Sequence, residues 1–505
     1  MGSRQDEPRA EKSGTAMKLT QLLKVIRPLD LIGPEEMEIT GLSYSSHEVQ
    51  PGNLFVALKG QKYDGSSFVE IAKEKGAAAV LSESGPPPHW PLTWIRVADG
   101  REALAHLADE FFGHPSQSLK VIGITGTKGK TTITYLLESI ILKAGGRPGV
   151  IGTINYRGPG IIQPAPRTTP EASDLQRLLR TFLDNGATHA ILEVSSHSLV
   201  MKRVLGIQFD LAMFTNLSPE HLDFHASMDD YFEAKKKLFY LNKKKRTAIV
   251  NQDDPWGQKL ITELPLTTIT FGFQPEALIR ASEVRLSERQ TSLLILYPGG
   301  EVELTSSLLG QHNVYNILAA FAAGLALNFD LTAIVKGITA VKSIPGRLEK
   351  IDNDLGLSIF VDYAHTDTAL RSVLTTLRSF QPRRIIVVFG CGGDRDRSKR
   401  ERMGQVAGEL ADIIIITSDN PRNEDPASII AEVEKGVRRT GVKHYWLEPD
   451  RRQAIKQALS TARKGDILLV AGKGHEEYQE IKGEKIPFND GQVIRTLLAE
   501  LKGEN

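Results

Sequence analysis

The sequence predicts an α/β protein of about three domains built on parallel sheets. Three observations carry this. Short β-branched apolar runs alternate with longer helical patterns through most of the chain. The chain has 505 residues, too many for one core, since single cores stop growing near ~250–300 residues, and ~150 residues per domain gives about three. Hydrophobic residues make up 41% and charged residues 24%, a globular balance that excludes wholesale disorder.

Residues 1–16, MGSRQDEPRAEKSGTA, are polar and read as a disordered extension without the apolar segment of a signal peptide. Residues 17–116 form the first domain: a strand in LFVALKG after Pro51-Gly52, a helix near 67–76, a strand in AAAVLSE, and a rigid loop at Gly85–Pro88. Residues 117–345 form the middle domain. There VIGIT reads as a buried strand entering a Gly-rich turn, with further strands at His189–Val194, Phe209–Phe214 and Thr247–Val250. Pro345-Gly346 is the expected hinge into residues 346–505, whose strands are SIFVD (358–362), RIIVVFG (384–390), DIIIIT (412–417) and DILLVAG (466–472). Ligands bind at the carboxyl ends of strands in open α/β sheets, so two ligand-bearing edges are expected.

The 62 Lys+Arg nearly cancel the 61 Asp+Glu, leaving +1. A chain that coats nucleic acid is usually far more basic, so no nucleic-acid partner is expected. The one cysteine, Cys391, excludes an internal disulfide framework and fits a reducing compartment. No apolar run reaches the ~18 residues of a membrane span. A cytoplasmic monomer without membrane insertion is expected.

Residues 123–132 read GITGTKGKTT. Gly126, Thr127, Lys128, Gly129, Lys130, Thr131 and Thr132 have the spacing of the second half of a phosphate loop, between an apolar strand and a helical pattern. Glycines let backbone N–H groups approach a phosphate, and the helix N-terminus adds positive potential. Lys130 is placed to reach the β/γ-phosphates and the Thr131 hydroxyl to ligate Mg²⁺. Gly123 lies six residues before Gly129 rather than five, which argues against a Ras-like loop. Glu193 and His221 each follow a strand and are expected at the same sheet edge. A carboxylate suits Mg²⁺; an imidazole is a less usual ligand.

With GTKGKTT, the segments RTTP (167–170), EVSSHS (193–198), TNLSPEHLDFH (215–225), YFEAK (231–235), HNVYN (312–316), DYAH (362–365), GCGGDRD (390–396), DNPR (419–422) and AGKGHE (471–476) resemble the Mur ligase family, in family order. They look most like the branch that adds the third residue to the peptidoglycan precursor. The resemblance implies a small N-terminal α/β domain for the UDP-sugar end, a central P-loop ATPase-like domain for ATP, and a C-terminal Rossmann-like domain for the amino acid. It also implies a carbamate on Lys235. An ammonium beside Mg²⁺ is repelled, whereas a carbamate is an anionic oxygen ligand. Thr131, Glu193, His221 and Lys235 are thus the implied metal set, with Lys130, Lys235, His221 and Glu193 at the chemistry. Lys236 and Lys237 are read as a solvated helix face.

By the same resemblance, ATP phosphorylates the terminal carboxylate of UDP-MurNAc-L-Ala-D-Glu, and the amine of the amino acid attacks the acyl phosphate. Asn313, Arg347 and Asp362 match the family's further ATP contacts. Thr168, Thr169, Ser195 and Arg203 match positions that hold sugar, peptide or phosphates. The family's Asp-Ser-Arg segment falls on Ser45-Ser46-His47, so only Ser46 keeps its role, and Met201 stands where relatives can carry Gln. Asp419, Asn420, Pro421 and Arg422 form the tetrapeptide associated with meso-diaminopimelate. A guanidinium can bind its distal carboxylate bidentately. Arg395 adds positive charge, and Glu476 with the Gly472 carbonyl can take the distal ammonium. Lysine would leave Arg422 unpaired, and such sites discriminate by ~10⁴ or more.

The run Arg395–Arg402 carries five basic residues in eight but reads as a mostly solvated face, with only Arg395 in the site. Cys391 reads as a packed residue, not a nucleophile. The competing readings are the same ligase with L-lysine, a folate-type polyglutamate ligase, and a P-loop switch or scaffold that binds ATP without amino-acid-dependent turnover.

Overall fold

The structure is a computed structural model that describes residues 16–60, 63–241, 247–265 and 267–503. Of the expected disordered extension, residues 1–15 lie outside the described residues. The chain divides into two compact units, one of residues up to 271 with 322–330, the other of residues 272–321 and 331 onward.

The first unit holds two main sheets. Strands β1 (Asp30–Ile32), β2 (Gly41–Ser43), β3 (Asn53–Ala57), β4 (Ala79–Ser82) and β5 (Thr93–Arg96) pair in the order β1-β5-β4-β3-β2. All neighbours are parallel except β1 against β5. β3 and β4 are buried at every residue, as continuous apolar runs in a covered parallel sheet should be. The expected 67–76 helix is shorter, Val69–Glu74, because residues 65–68 form a tighter 3₁₀ turn capped by Asp64. Helix α1 (Gly100–Phe111) follows, its N-terminus capped by the Asp99 side chain.

The second sheet is formed by β6 (Lys120–Thr125), β7 (Pro148–Ile151), β8 (His189–Glu193), β9 (Leu211–Phe214), β10 (Thr247–Asn251) and β11 (Thr267–Gly272). Their order is β7-β8-β6-β9-β10-β11, all parallel. Helices α2 (Lys130–Lys143), α3 (Ala172–Asp184) and α4 (Met228–Lys236) accompany them. The register sets Glu193 opposite Ile124 and Phe214 opposite Thr125. The carboxyl ends of β6, β8 and β9 are therefore level, and the loops they feed share one edge.

The second unit contains an antiparallel set, β12 (Ile279–Leu286), β13 (Thr291–Tyr297) and β14 (Gly300–Ser306). It also contains a sheet of β15 (Glu349–Ile351), β16 (Ser358–Asp362), β17 (Arg384–Phe389), β18 (Ile413–Ile416), β19 (Tyr445–Leu447) and β20 (Asp466–Ala471). The order is β15-β16-β20-β17-β18-β19, parallel except for β15. Apolar clusters cover both faces, so β18, four isoleucines, is buried throughout. Each such side chain contributes about 1.5–3 kcal/mol; a charge at Ile415 would break this layer. A hairpin, β21 (Tyr478–Ile481) and β22 (Glu484–Pro487), follows β20. Among the described residues no helix is long and apolar enough to cross a membrane.

Candidate functional site

In the first unit, β6 delivers the chain into the Gly126–Gly129 loop, and α2 begins at Lys130 with Gly129 as its N-cap. Gly126 and Gly129 have φ of 143° and 90°, a region that favours glycine. A Cβ at Gly126 would also run into the Thr215 hydroxyl. The loop is held by the segment after β9. Asn216 Oδ1 accepts from the Lys128 N–H at 2.9 Å, the Thr215 hydroxyl donates to the Lys128 carbonyl at 2.7 Å, and the Thr127 hydroxyl accepts from the Ser218 N–H at 3.1 Å. Lys128 pairs with Glu220 at 2.8 Å. Burial pushes the Glu220 carboxyl up, but Lys128 and Lys130 outweigh it and leave it below its usual range. Lys130 Nζ donates to the Gly126 and Thr127 carbonyls at 2.8 and 3.0 Å. Thr132 is buried in the first turn of α2.

Glu193, at the end of β8, is buried. Its carboxylate accepts from the Thr131 hydroxyl at 3.1 Å and from the Thr153 hydroxyl and N–H, both at 2.9 Å. Thr168 joins through its 3.1 Å contact with the Thr153 hydroxyl. Thr131 and Glu193 thus present hard oxygen donors side by side, a fit for Mg²⁺. His221 and Lys235 flank the Tyr231 ring: ring centroids of His221 and Tyr231 are 6.2 Å apart, and Lys235 Nζ is 4.4 Å from that ring's centre. His221 has φ 58°, an uncommon conformation for a non-glycine residue. Burial lowers its pKa.

Lys235 is 1% exposed. Its Nζ donates to the Gly126 carbonyl at 2.9 Å. Burial, then the nearby Lys130, push its pKa well below the usual lysine range. Lys236, one residue on, instead pairs with Glu233 and Glu263.

The Thr169 hydroxyl donates to the Glu193 carbonyl at 2.7 Å and accepts from the Ser195 N–H at 3.2 Å. Arg203 donates to the Thr169 carbonyl at 3.1 Å and pairs with Glu171 at 2.8 Å. Glu171 also faces Arg167 at 2.8 Å and Arg101 at 3.5 Å. Ser46 is buried in the turn after β2 and makes no hydrogen bond to these residues. Sequence reasoning missed Thr153, Glu171 and the histidine pair around His221; His197 lies 5.0 Å from it, ring to ring, and His225 5.8 Å from His197. The histidines stood inside the motifs; Thr153 and Glu171 had no distinguishing pattern.

In the second unit, Asn313 lies in the first turn of helix Gln311–Ala326, its amide bonded to the Leu309 carbonyl and to Asn316. The Arg347 guanidinium lies 5.1 Å from the Tyr363 ring centre. Asp362, at the end of β16, accepts from the Leu348 N–H at 2.7 Å.

The loops after β18 and β20 meet. Asn420 Nδ2 donates to Glu476 Oε2 at 2.8 Å, and Gly472 has φ 112°. Asp419 is buried and its carbonyl accepts from Gln479 at 2.9 Å. Pro421 closes the same turn, its carbonyl accepting from the Glu424 N–H at 3.0 Å. Arg422 has φ 51°, a conformation that costs on the order of 1 kcal/mol or more, and its backbone pairs with Ile481 of β21. Arg395 is exposed in the loop after β17.

One expectation needs correction. Arg422 is not left unpaired in the absence of a distal carboxylate: its Nε bonds Glu480 at 3.1 Å and its guanidinium donates to the Gly393 carbonyl at 2.7 Å. The 395–402 run is mostly solvated, as expected, with Arg400 as its buried member. Arg400 is 0% exposed and pairs with Glu424 at 2.8 Å and Glu432 at 3.0 Å, and Glu424 is drawn down to about 2 by its hydrogen bonds with Arg400 and the Asp394 N–H. Cys391 is buried, as expected, and burial pushes its thiol up to about 12.

A phosphate loop on a parallel sheet, beside the buried oxygen donors of Thr131 and Glu193, defines a nucleotide-phosphate site. Residues 38–112 match "Mur ligase family, catalytic domain", residues 124–324 "Mur ligase middle domain" and residues 346–474 "Mur ligase, glutamate ligase domain". A UDP-N-acetylmuramoyl-L-alanyl-D-glutamate--2,6-diaminopimelate ligase of Geobacter metallireducens is 43% identical, covering 97% of this chain and 99% of the relative. One of the same name from Solibacter usitatus is 44% identical over 95% of this chain and 98% of the relative. A solved structure of that name is 34% identical with TM-score 0.70, covering 97% of this chain and all of the other. The folylpolyglutamate synthase of Mycobacterium tuberculosis, 17% identical with TM-score 0.61 over 78% of this chain and 94% of that one, shares the fold. The chain belongs to the Mur ligase family.

Proposed function

We propose that the chain adds meso-diaminopimelate to UDP-MurNAc-L-Ala-D-Glu at the expense of ATP. The single observation that carries this reading is end-to-end likeness, above 40% identity, to relatives named for that reaction, with the Asp419–Arg422 tetrapeptide in place. The domains are 17–116 for the UDP-sugar end, 117–345 for ATP and 346–505 for the amino acid. The protein acts as a monomer in the cytoplasm.

The γ-phosphoryl group of ATP passes to the terminal carboxylate, releasing ADP. The amine attacks the acyl phosphate, and the tetrahedral intermediate collapses to amide and phosphate. The Gly126–Thr132 loop with Lys130 positions the phosphates; Asn313, Arg347 and Asp362 match further ATP contacts of the family. Thr131 and Glu193, with His221 and the Lys235 carbamate, hold Mg²⁺, which when bound neutralises phosphate charge. The carbamate forms when the neutral Lys235 amine attacks CO₂ and loses one proton; burial beside Lys130 favours that neutral amine. Thr168, Thr169, Ser195, Arg203 and Ser46 hold the nucleotide dipeptide. Arg395, Asp419–Arg422, Gly472 and Glu476 hold the diaminopimelate, with Arg422 exchanging Glu480 for the distal carboxylate.

Phosphate release measured with the nucleotide dipeptide and a panel of amino acids tests this. The fastest turnover is expected with meso-diaminopimelate. Faster turnover with L-lysine or with glutamate on a folate would assign the other ligase, and ATP binding without amino-acid-dependent release would assign a switch.

A further inference from the structure

Lys473 follows Gly472 at the end of β20 and is 0% exposed. A buried ammonium is expensive unless its protons are all matched. Here Nζ donates to the Tyr478 carbonyl at 2.6 Å, Glu476 Oε2 at 3.0 Å and Asn420 Oδ1 at 3.1 Å. Those acceptors lie on three separate segments: the loop after β18, the loop after β20, and β21. Asn420 Oδ1 also accepts from the Glu480 N–H at 2.9 Å, so the same amide ties the loop to the strand whose Glu480 pairs with Arg422.

The network is lopsided at Glu476. Both Lys473 Nζ and Asn420 Nδ2 bond Oε2, at 3.0 and 2.8 Å, while Oε1 has no hydrogen bond among the described residues. Two donors on one oxygen fix the carboxylate's rotation and leave the other oxygen to accept. The loop carrying this arrangement is rigid in a second way: buried Arg451 donates to the carbonyls of Ser418 at 3.2 Å and Ala471 at 3.0 Å, the residues just before Asp419 and Gly472.

We propose that Lys473 is a positioning residue that sets amino-acid selectivity without touching the substrate: it aims Glu476 Oε1 at the distal ammonium of a diamino acid and holds Asn420 and the Arg422 turn in register with it. This rests on the reading of residues 419–422 and 476 as the amino-acid site.

The test is steady-state kinetics of the full chain with K473M, K473R, E476Q and R422A, varying each of the three substrates in turn. K473M is expected to raise KM for meso-diaminopimelate roughly tenfold, as loss of a charge-assisted hydrogen bond does, while KM for ATP and for the nucleotide dipeptide stays within about twofold. K473R, which keeps the charge, recovers part of the loss and gives the same split should K473M fail to fold. A general structural role would instead move all three KM values or kcat alone. Unchanged KM for diaminopimelate in K473M and K473R, with E476Q and R422A raising it, overturns the proposal and leaves the site reading standing. Unchanged KM in E476Q and R422A as well overturns both.

Discussion

Two lysines, one in each unit, are buried to the same degree and surrounded in opposite ways. Lys235 is 1% exposed and Lys473 0%. Lys235 has a backbone carbonyl, an aromatic face and the neighbouring Lys130; no carboxylate lies within ion-pair distance of it among the described residues. Lys473 has a carboxylate, an amide oxygen and a carbonyl, one for each proton. Burial alone therefore does not decide what a lysine does. A buried amine without a counter-charge is driven toward its neutral, nucleophilic form, the form that reacts with CO₂. A buried ammonium with all donors matched is a fixed tie between segments. Beside the phosphate loop, Lys235 is thus the buried lysine without a carboxylate at ion-pair distance, which is what the proposed carbamate answers. Around Asn420 and Glu476 the buried charge of Lys473 is already matched.

The largest expected effect breaks the first half of that contrast. Lys235→Ala should lower amide-forming turnover on the order of 10³-fold, as loss of a preorganised charge does, with partial rescue by a short carboxylic acid; full activity in the plain variant would refute the carbamate role. Next is the balanced side. Arg451 and Asp490 are both 0% exposed and bond twice at 2.7 Å. Arg451→Met leaves Asp490 buried and unpaired and should cost roughly 3–5 kcal/mol of stability, read as a fall in denaturant midpoint.

These two predictions differ in how visible they were. The phosphate loop, Thr131 and Glu193 sit in short contiguous motifs, where spacing and strand–helix context are local information; Lys235 was marked only by the resemblance of YFEAK to the family. The charges of the second unit are not local. Arg400 meets Glu424 across 24 residues, Arg451 meets Asp490 across 39 and Arg422 meets Glu480 across 58. In sequence such residues look like solvated surface, which is why the burial of Arg400 and the Glu480 partner of Arg422 were not legible. Parallel strands were legible from unbroken apolar runs; the 65–68 tight turn was not, since its signal is one capping aspartate.

A smaller effect concerns pH. Burial, then the nearby Arg347, lower His475 from 6.5 to about 4. Its native form is neutral, and the unfolded chain takes up a proton first. Stability from this group is thus full above pH 6.5 and is lost as pH falls toward 4. His475→Gln should flatten the decline of melting temperature over that window; an unchanged slope would remove His475 from the account. Smallest of all is Lys236→Gln. Lys236 makes ion pairs with partly exposed Glu233 and Glu263, worth less than about 1 kcal/mol, and turnover should not change. A large loss there would shift the functional register off Lys235.

The contrast between the two lysines is tested most directly by ¹³C NMR of the full chain equilibrated with ¹³C-bicarbonate and Mg²⁺. One protein-bound carbamate resonance is expected in the wild type and in Lys473→Arg, and none in Lys235→Ala. A wild-type spectrum without that resonance, or one in which it persists in Lys235→Ala, would contradict the assignment of an anion to the unmatched lysine.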